Sequence, residues 1–458
     1  MPKPNVVFLF ADQWRAQSVG YMDKQVKTPR IDTFARESLS FTNAISTCPI
    51  CTPYRASLLT GQYPLTHGLF MNDLCMDVNT PKLGDIFKRA GYDTAWVGKW
   101  HADGHGRKAY IPPERRGGFE YWKALECSHD YERSLYYAGD EREPRMWEGY
   151  DAIAQTRDAA GFLESRRGDK PFLLAVSWGP PHNSYEIVPE KYRAMYEPAE
   201  IRLPPNVPPE CEAQARRDLQ GYFAHISALD DCVGEILDSL EGLGLAENTV
   251  FVLTSDHGDC VWSHCTPETG NVNKQRPYEE SIHVPFLLRA PGMETGESDA
   301  LLAPQDILPT LCGLCGVPCP DTVEGRDVFA GPPREGALLA GYVPFCDWGP
   351  KRGGFPYRGI RTGRYMYAER HDGPWLLYNI LDDPYELHNL VGDAALAEEL
   401  RGLMVELMEE QGDRFETGEE LCERFGYHSL TGGNEIPLEK GEEWYGRKDS
   451  LRRRDRFS

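Results

Sequence analysis

Four apolar runs in this chain each end in side chains that can hold a cation or move a proton. Asp12 follows residues 5–11, Lys99 and His101 follow residues 94–97, His182 follows residues 172–177, and Asp256 with His257 follows residues 250–255. Carboxylates from separated segments supply the hard oxygens that Ca2+ and Mg2+ take, and Mn2+ also accepts imidazole. Lysine and histidine beside such an ion can offset negative charge and donate or accept protons. A fifth segment, Cys51-Thr52-Pro53-Tyr54-Arg55, adds a thiol. Pro53 suits the first turn of a helix ending near Gly61, which sets residue 51 at the amino end. Unpaired N–H groups and the helix dipole favour an anion there. Taken singly, each of these residues has a structural reading: an Asp after a strand is often a helix cap, and Cys51 could be a buried thiol or a redox partner of Cys48.

What must position them is an alternation of strands and helices. Strands are expected at 5–11, 94–97, 172–177 and 250–255. Helices are expected at 29–37, 80–90, 153–166 and from about 212 to 240. This pattern predicts an α/β fold with a mostly parallel sheet sandwiched by helices. Chemistry in such folds collects at the carboxyl ends of the strands, so the remote polar residues should converge on one sheet edge. Beyond the loop 331–336 the pattern turns to short strands and tight turns. It predicts a division into a catalytic α/β domain, 1–335, and a smaller C-terminal subdomain, 336–458, with an antiparallel sheet. The acidic tail beyond about Arg414 has weak periodicity and is expected to wrap the main domain.

The run from Cys51 to Gly61, CTPYRASLLTG, resembles the sulfatase signature C-x-P-x-R followed by L-T-G, with Tyr54 where that family usually has Ser. The resemblance implies an alkaline-phosphatase-like fold. It also implies oxidation of Cys51 by a dedicated maturation enzyme to Cα-formylglycine (3-oxoalanine). Hydrated, that aldehyde is a geminal diol: one hydroxyl attacks sulfur, and the other then loses its proton to expel sulfate. Asp12, Asp256 and His257 match the family's metal ligands, joined by the modified Cys51. Gln13 stands where many members carry a second Asp, and His257 where Asn is common. Ca2+ is the first expectation, with Mn2+ or Mg2+ as alternatives. Gly98-Lys99-Trp100-His101 resembles a motif whose lysine bridges sulfate and nucleophile and whose histidine assists sulfate release. His182 and Lys274 resemble the pair that neutralises the departing oxygen, Arg55 belongs to the signature itself, and Asn72 is placed as a contact to the substrate anion. The run LYNILDDPYELHNL from Leu377 to Leu390 resembles the family's C-terminal pattern and reads as architectural.

A formal net charge of -22 over 458 residues argues against nucleic acid or an anionic membrane as partner. The basic run Arg452 to Arg454 reads as a solvated end. No apolar stretch reaches membrane-spanning length and no leader is evident, so a cytoplasmic location is the expectation. Thirteen cysteines do not suggest a disulfide framework, and Cys312, Cys315 and Cys319 read as packing thiols. The partners expected are a small-molecule or carbohydrate sulfate ester and the maturation enzyme, with a homo-oligomer left open. Two rivals stand: a phosphonate monoester or phosphodiester hydrolase of the same superfamily, which would carry Tyr and Thr in place of Lys99 and His101, and a decayed binding protein on the same scaffold.

Overall fold

The computed structural model describes residues 3–166 and 170–427; the Arg452 to Arg454 run lies outside them. Among the described residues ten strands form one sheet: β1 (Asn5–Asp12), β2 (Leu39–Ala44), β3 (Asp93–Lys99), β4 (Tyr121–Leu125), β5 (Leu135–Ala138), β6 (Arg145–Met146), β7 (Phe172–Pro181), β8 (Thr249–Ser255), β9 (Phe286–Arg289) and β10 (Gly296–Leu302). Their order is β10-β2-β9-β8-β1-β7-β3-β4-β5-β6. The central five, β8 through β4, are all parallel, while β9, β5 and β6 run antiparallel to their neighbours.

The buried centre follows from β1, whose every residue is apolar between Val6 and Ala11 and buried. Val6, Phe8 and Phe10 point to one face, where they meet Tyr54 and Leu58 of the helix Cys51–Thr60. Val7, Leu9 and Ala11 point to the other, against Tyr222, Phe223 and Ile226 of the long helix Glu212–Gly242. Alternation of side chains along a strand therefore serves two cores at once, as expected for a strand covered on both faces.

Most elements lie where the sequence places them, with three instructive differences. The helix expected at 80–90 is shorter, Leu83–Arg89, because the Asp85 carboxylate accepts the Lys82 N–H at 3.2 Å and sets the boundary after Pro81. β7 runs four residues past its expected end, through Pro181 opposite Asp12. The stretch 102–150, for which the sequence pattern sets no strand, contains β4, β5 and β6.

A second sheet of four antiparallel strands begins at Gly336: β11 (Gly336–Gly341), β12 (Tyr357–Thr362), β13 (Tyr365–Arg370) and β14 (Gly373–Asn379). The helix Ala394–Glu410 covers it through Leu400 and Met404 against Ile360, Tyr367 and Leu377. The chain then returns to the large domain. In the helix Gly418–Phe425, Leu421, Cys422 and Phe425 join the core beside the nucleophile helix, and the Phe425 and Phe70 rings lie 5.5 Å apart. Cys312 and Cys315 are buried in a helix, Cys319 is exposed, and none of the thirteen cysteines, all among the described residues, is in a disulfide.

Because Phe425 is buried to 1 % exposure, Phe425→Ala should destabilise the protein by about 3–5 kcal/mol in urea unfolding. A loss under about 1 kcal/mol would show that the returning helix is not docked.

Candidate active site

Parallel register brings the polar strand ends together. Ala11 pairs with Ser255, so Asp12 and Asp256 emerge side by side. Lys99 ends β3 opposite Leu125, and the extended β7 delivers His182 beside Asp12. Cys51 is the first residue of its helix, and all ten helix residues are buried. Ile50, at the cap position, offers no side-chain bond. Asn72 supplies the cap from outside: its Oδ1 accepts the Thr52 N–H at 2.9 Å. The Asn72 oxygen is therefore committed to the helix, which leaves only its NH2 group to donate to an anion. At the other end Gly61 adopts a left-handed φ of 67° and donates its N–H to Ser57. A Cβ there would meet Val323 at 2.8 Å.

Around the Cys51 Sγ the structure assembles His257 Nε2 at 3.3 Å, Lys274 Nζ at 3.5 Å, Lys99 Nζ at 3.8 Å and Asp12 Oδ1 at 3.5 Å. This sulfur marks where a nucleophilic oxygen would stand after modification. Lys99 forms an ion pair with Asp12. Arg55, wholly buried, donates through Nε and Nη2 to Asp256 Oδ2 at 3.2 and 3.1 Å. Its Nη1 donates to the Lys99 carbonyl at 2.9 Å and to Ser177 Oγ at 2.7 Å. Arg55 thus acts beneath the site, holding strand ends in place. His182 Nδ1 donates to the Asn183 carbonyl at 2.6 Å, which turns Nε2 toward Lys274 Nζ at 2.9 Å.

The charges are mutually determined. Burial alone would raise Asp12, but Lys99, then His182, Lys274 and His257, hold it well below the usual carboxylate range. Asp256 is pushed up by burial and by Asp12. Burial and Asp12 would also raise Cys51, yet Lys274, Lys99 and His257 outweigh them and pull the thiol well below its ordinary value. His182 is pushed well down by burial, His129 and Lys274, so it is neutral and its Nε2 accepts a hydrogen bond from the Lys274 ammonium. His101, despite burial, is held up to about 9 by Cys127 first and then by Asp73 and Cys51. It is therefore cationic near neutrality.

The donor set fits a divalent ion. One ligand atom each from Asp12, Cys51, Asp256 and His257 lies within 4.8 Å of the others. His257 Nδ1 donates to the Gly258 carbonyl at 2.9 Å, which fixes the tautomer with the Nε2 lone pair facing Asp12 and Asp256. Gln13 donates its side-chain NH2 to Asp259 at 2.7 Å and its backbone N–H to Asp256 at 3.0 Å. Its Oε1 is buried with no hydrogen-bond partner, as expected of an amide oxygen reserved for a cation.

Sequence reasoning overlooked several contributors. Asp73 accepts from His101 Nε2 at 3.3 Å and pairs with Arg107. His129 stacks on His182, with ring centres 4.0 Å apart, and reaches within 4.8 Å of Asp12. Ser177 anchors Arg55. His129 had a usable signal, since residues 121–125, Tyr-Trp-Lys-Ala-Leu, are apolar but for Lys123 and lead into Glu126-Cys127-Ser128-His129, which is the strand-end rule again. Asp73 had none, because only tertiary packing brings its loop to His101.

The comparisons agree with this geometry. Residues 4–317 match the family model described as Sulfatase, and residues 267–413 match N-sulphoglucosamine sulphohydrolase, C-terminal. The chain is 43 % identical over 439 residues to an ulvan-active sulfatase of Formosa agariphila, covering 93 % of this chain and 85 % of that one. It is 33 % identical over 426 residues to an endo-4-O-sulfatase of Bacteroides thetaiotaomicron, covering 80 % and 82 %. A solved structure concerned with glycosaminoglycan metabolism in Bacteroides thetaiotaomicron superimposes with a TM-score of 0.82 at 31 % identity, over 93 % of this chain and all of that one.

Asp256→Asn keeps an acceptor for Arg55 but removes a charge from the cation's surroundings. Calorimetric titration with Mn2+ or Ca2+ should show affinity lowered at least about tenfold. An unchanged affinity would remove Asp256 from the ligand set.

Proposed function

From the premise that this chain belongs to the sulfatase family and is a sulfuric ester hydrolase, we propose that it cleaves sulfate monoesters on carbohydrates with a formylglycine made from Cys51. The observation that carries this reading is the ring of cationic and imidazole groups within 3.8 Å of the residue-51 side chain at a buried helix N-terminus. Such a ring is built for a nucleophile and a transferring group that are both anionic. Hydrated, the aldehyde supplies one hydroxyl for attack on sulfur and a second whose deprotonation releases sulfate. A divalent cation held by Asp12, Asp256, His257 and Gln13, with residue 51, offsets charge on nucleophile and sulfate. Ca2+ is assigned first, with Mn2+ the rival because imidazole suits it better.

The chain's own groups divide the remaining work. Lys99 orients a sulfate oxygen against the nucleophile. The hydrogen-bonded pair Lys274 and His182 faces the departing ester oxygen and supplies its proton, balancing the charge that develops there. His101, gripped by Asp73, is placed to take the proton of the second hydroxyl as the adduct collapses, acting in its neutral form after releasing its own proton to solvent. The Asn72 amide NH2 group contributes to anion binding while its oxygen caps the helix.

The carbohydrate assignment rests on relatives whose names point to ulvan and glycosaminoglycans. The aromatics of the 102–150 stretch do not strengthen it. Tyr136 stacks on Trp147 at 3.9 Å and Tyr110 packs edge-on against Tyr137, so these rings largely satisfy one another. Against the phosphonate or phosphodiester reading stand Lys99 and His101, both buried within the site. A titratable histidine and a fixed lysine suit a sulfate monoester's three non-bridging oxygens.

With matched nitrophenyl leaving groups, kcat/KM should favour the sulfate ester over the phosphonate or diester, and Lys99→Tyr with His101→Thr should narrow that preference. A wild-type preference for the phosphonate or diester would overturn the assignment.

A further inference from the structure

A second constellation lies apart from Cys51. His264, Glu280 and Glu386 each offer a ligand atom within 4.8 Å of the others. His264 Nε2 is 3.7 Å from Glu280 Oε2 and 3.9 Å from Glu386 Oε2. Glu280 and Glu386 are only 5 % and 2 % exposed. Two carboxylates buried side by side repel each other unless a cation or a shared proton intervenes.

The neighbouring cations are engaged elsewhere. Arg361 donates to both oxygens of Glu279, and Arg276 donates to the carbonyls of Ser263, His264 and Val272. Glu386 Oε2 accepts the Glu279 N–H at 2.9 Å, but Glu386 Oε1 and Glu280 Oε2 are buried without a hydrogen-bond partner among the described residues. Asn206 Nδ2 faces three acceptors with two hydrogens: Glu280 Oε1 at 2.6 Å, His264 Nε2 at 3.0 Å and the Tyr385 carbonyl at 3.1 Å. Its own Oδ1 is also buried and unpartnered. Acceptors thus outnumber donors here.

We propose that Glu280, Glu386 and His264, with Asn206, form a second divalent-cation site that is structural rather than catalytic. An ion seated among atoms so spaced lies about 2.2–2.5 Å from each, between the zinc and calcium ranges. The imidazole favours Mn2+ or Zn2+ over Ca2+. Turning the Asn206 amide over would present its oxygen to the ion. The Tyr278 ring stacks on His264 at 3.8 Å and fixes the imidazole plane. A cavity of about 500 Å3, lined by Glu280, Tyr385 and Arg15 among others, reaches the cluster and gives an ion its approach.

The site would clamp three parts of the chain. Glu386 comes from the turn after β14, held at a φ of 53°, Asn206 from the segment before the long helix, and His264 and Glu280 from the loop that also carries His257 and Lys274 and the short helix Glu279–Ile282 that follows it. Gly258 donates its N–H to the Ser281 carbonyl at 2.8 Å and packs so close to the Glu280 carbonyl that a Cβ would stand 2.0 Å from it. An ion at Glu280 therefore braces the backbone beside His257.

The test separates the two sites. Full-length protein carrying Asp12→Ala and Asp256→Ala, equilibrated with Mn2+ or Zn2+ alone and dialysed, should retain one ion per chain by elemental analysis, and its Tm should rise with added ion. Adding Glu386→Gln should remove that ion and the Tm response. His264→Gln in the otherwise native chain should hold one ion fewer than the wild type, which covers the case in which the triple variant does not fold. The proposal is overturned if the Asp12/Asp256 variant retains no ion, as when the carboxylates merely share a proton or a water. It is also overturned if His264→Gln and Glu386→Gln leave stoichiometry and Tm response unchanged. Neither result depends on what Cys51 becomes.

Discussion

The site's organisation depends on one electrostatic constraint: Asp12 and Asp256 are buried side by side at the ends of adjacent parallel strands. Two carboxylates about 4 Å apart repel by about 4 kcal/mol at an effective dielectric near 20, and burial adds a desolvation cost to each. The protein meets this with Lys99 on Asp12 and Arg55 on Asp256, both buried. Further positive charge or an ion is then tolerated at the outer face, where His257, Lys274 and the helix N-terminus at Cys51 converge. A site so charged has a standing preference for an anion at position 51 and for an anionic substrate beside it.

The same constraint explains why the nucleophile helix is so firmly built. Arg55 can hold Asp256, the Lys99 carbonyl and Ser177 together only if its helix cannot shift, and every residue from Cys51 to Thr60 is buried. Asn72 caps the start and Gly61 ends it with a turn that leaves no room for a side chain. Signature residues that read as chemical in sequence are thus divided between reaction and support. Cys51 faces the ring of charged groups, whereas Arg55 lies behind it, tied to Asp256, the Lys99 carbonyl and Ser177.

Much of this was legible because strand-end polarity and apolar alternation are local properties. The run 5–11, the pair Asp256 and His257, and the CTPYR segment carry their meaning in a few adjacent residues. What was not legible depends on distant packing. β5 and β6 are only four and two residues long, too short to show a period, so nothing in the sequence marks them as strands. Asp73 reaches His101 only through tertiary packing. Asn72 could be placed near the anion, but not seen as a helix cap, because its partner, the Thr52 N–H, is a backbone group. Gln13 reads as a weakened metal position; in the structure its NH2 is tied to Asp259 and its oxygen is buried without a hydrogen-bond partner among the described residues. The cluster of His264, Glu280 and Glu386 joins a segment after β8 to the turn after β14 and has no contiguous signature at all.

In the proposed reaction the reacting group at position 51 is not the encoded thiol. The most direct measurement is the mass of the peptide containing residue 51, taken from protein whose sulfate-ester turnover has been measured on the same sample. The account predicts that the aldehyde or its hydrate is present and that its fraction scales with activity across preparations. Full turnover from protein in which Cys51 is an intact thiol would contradict it.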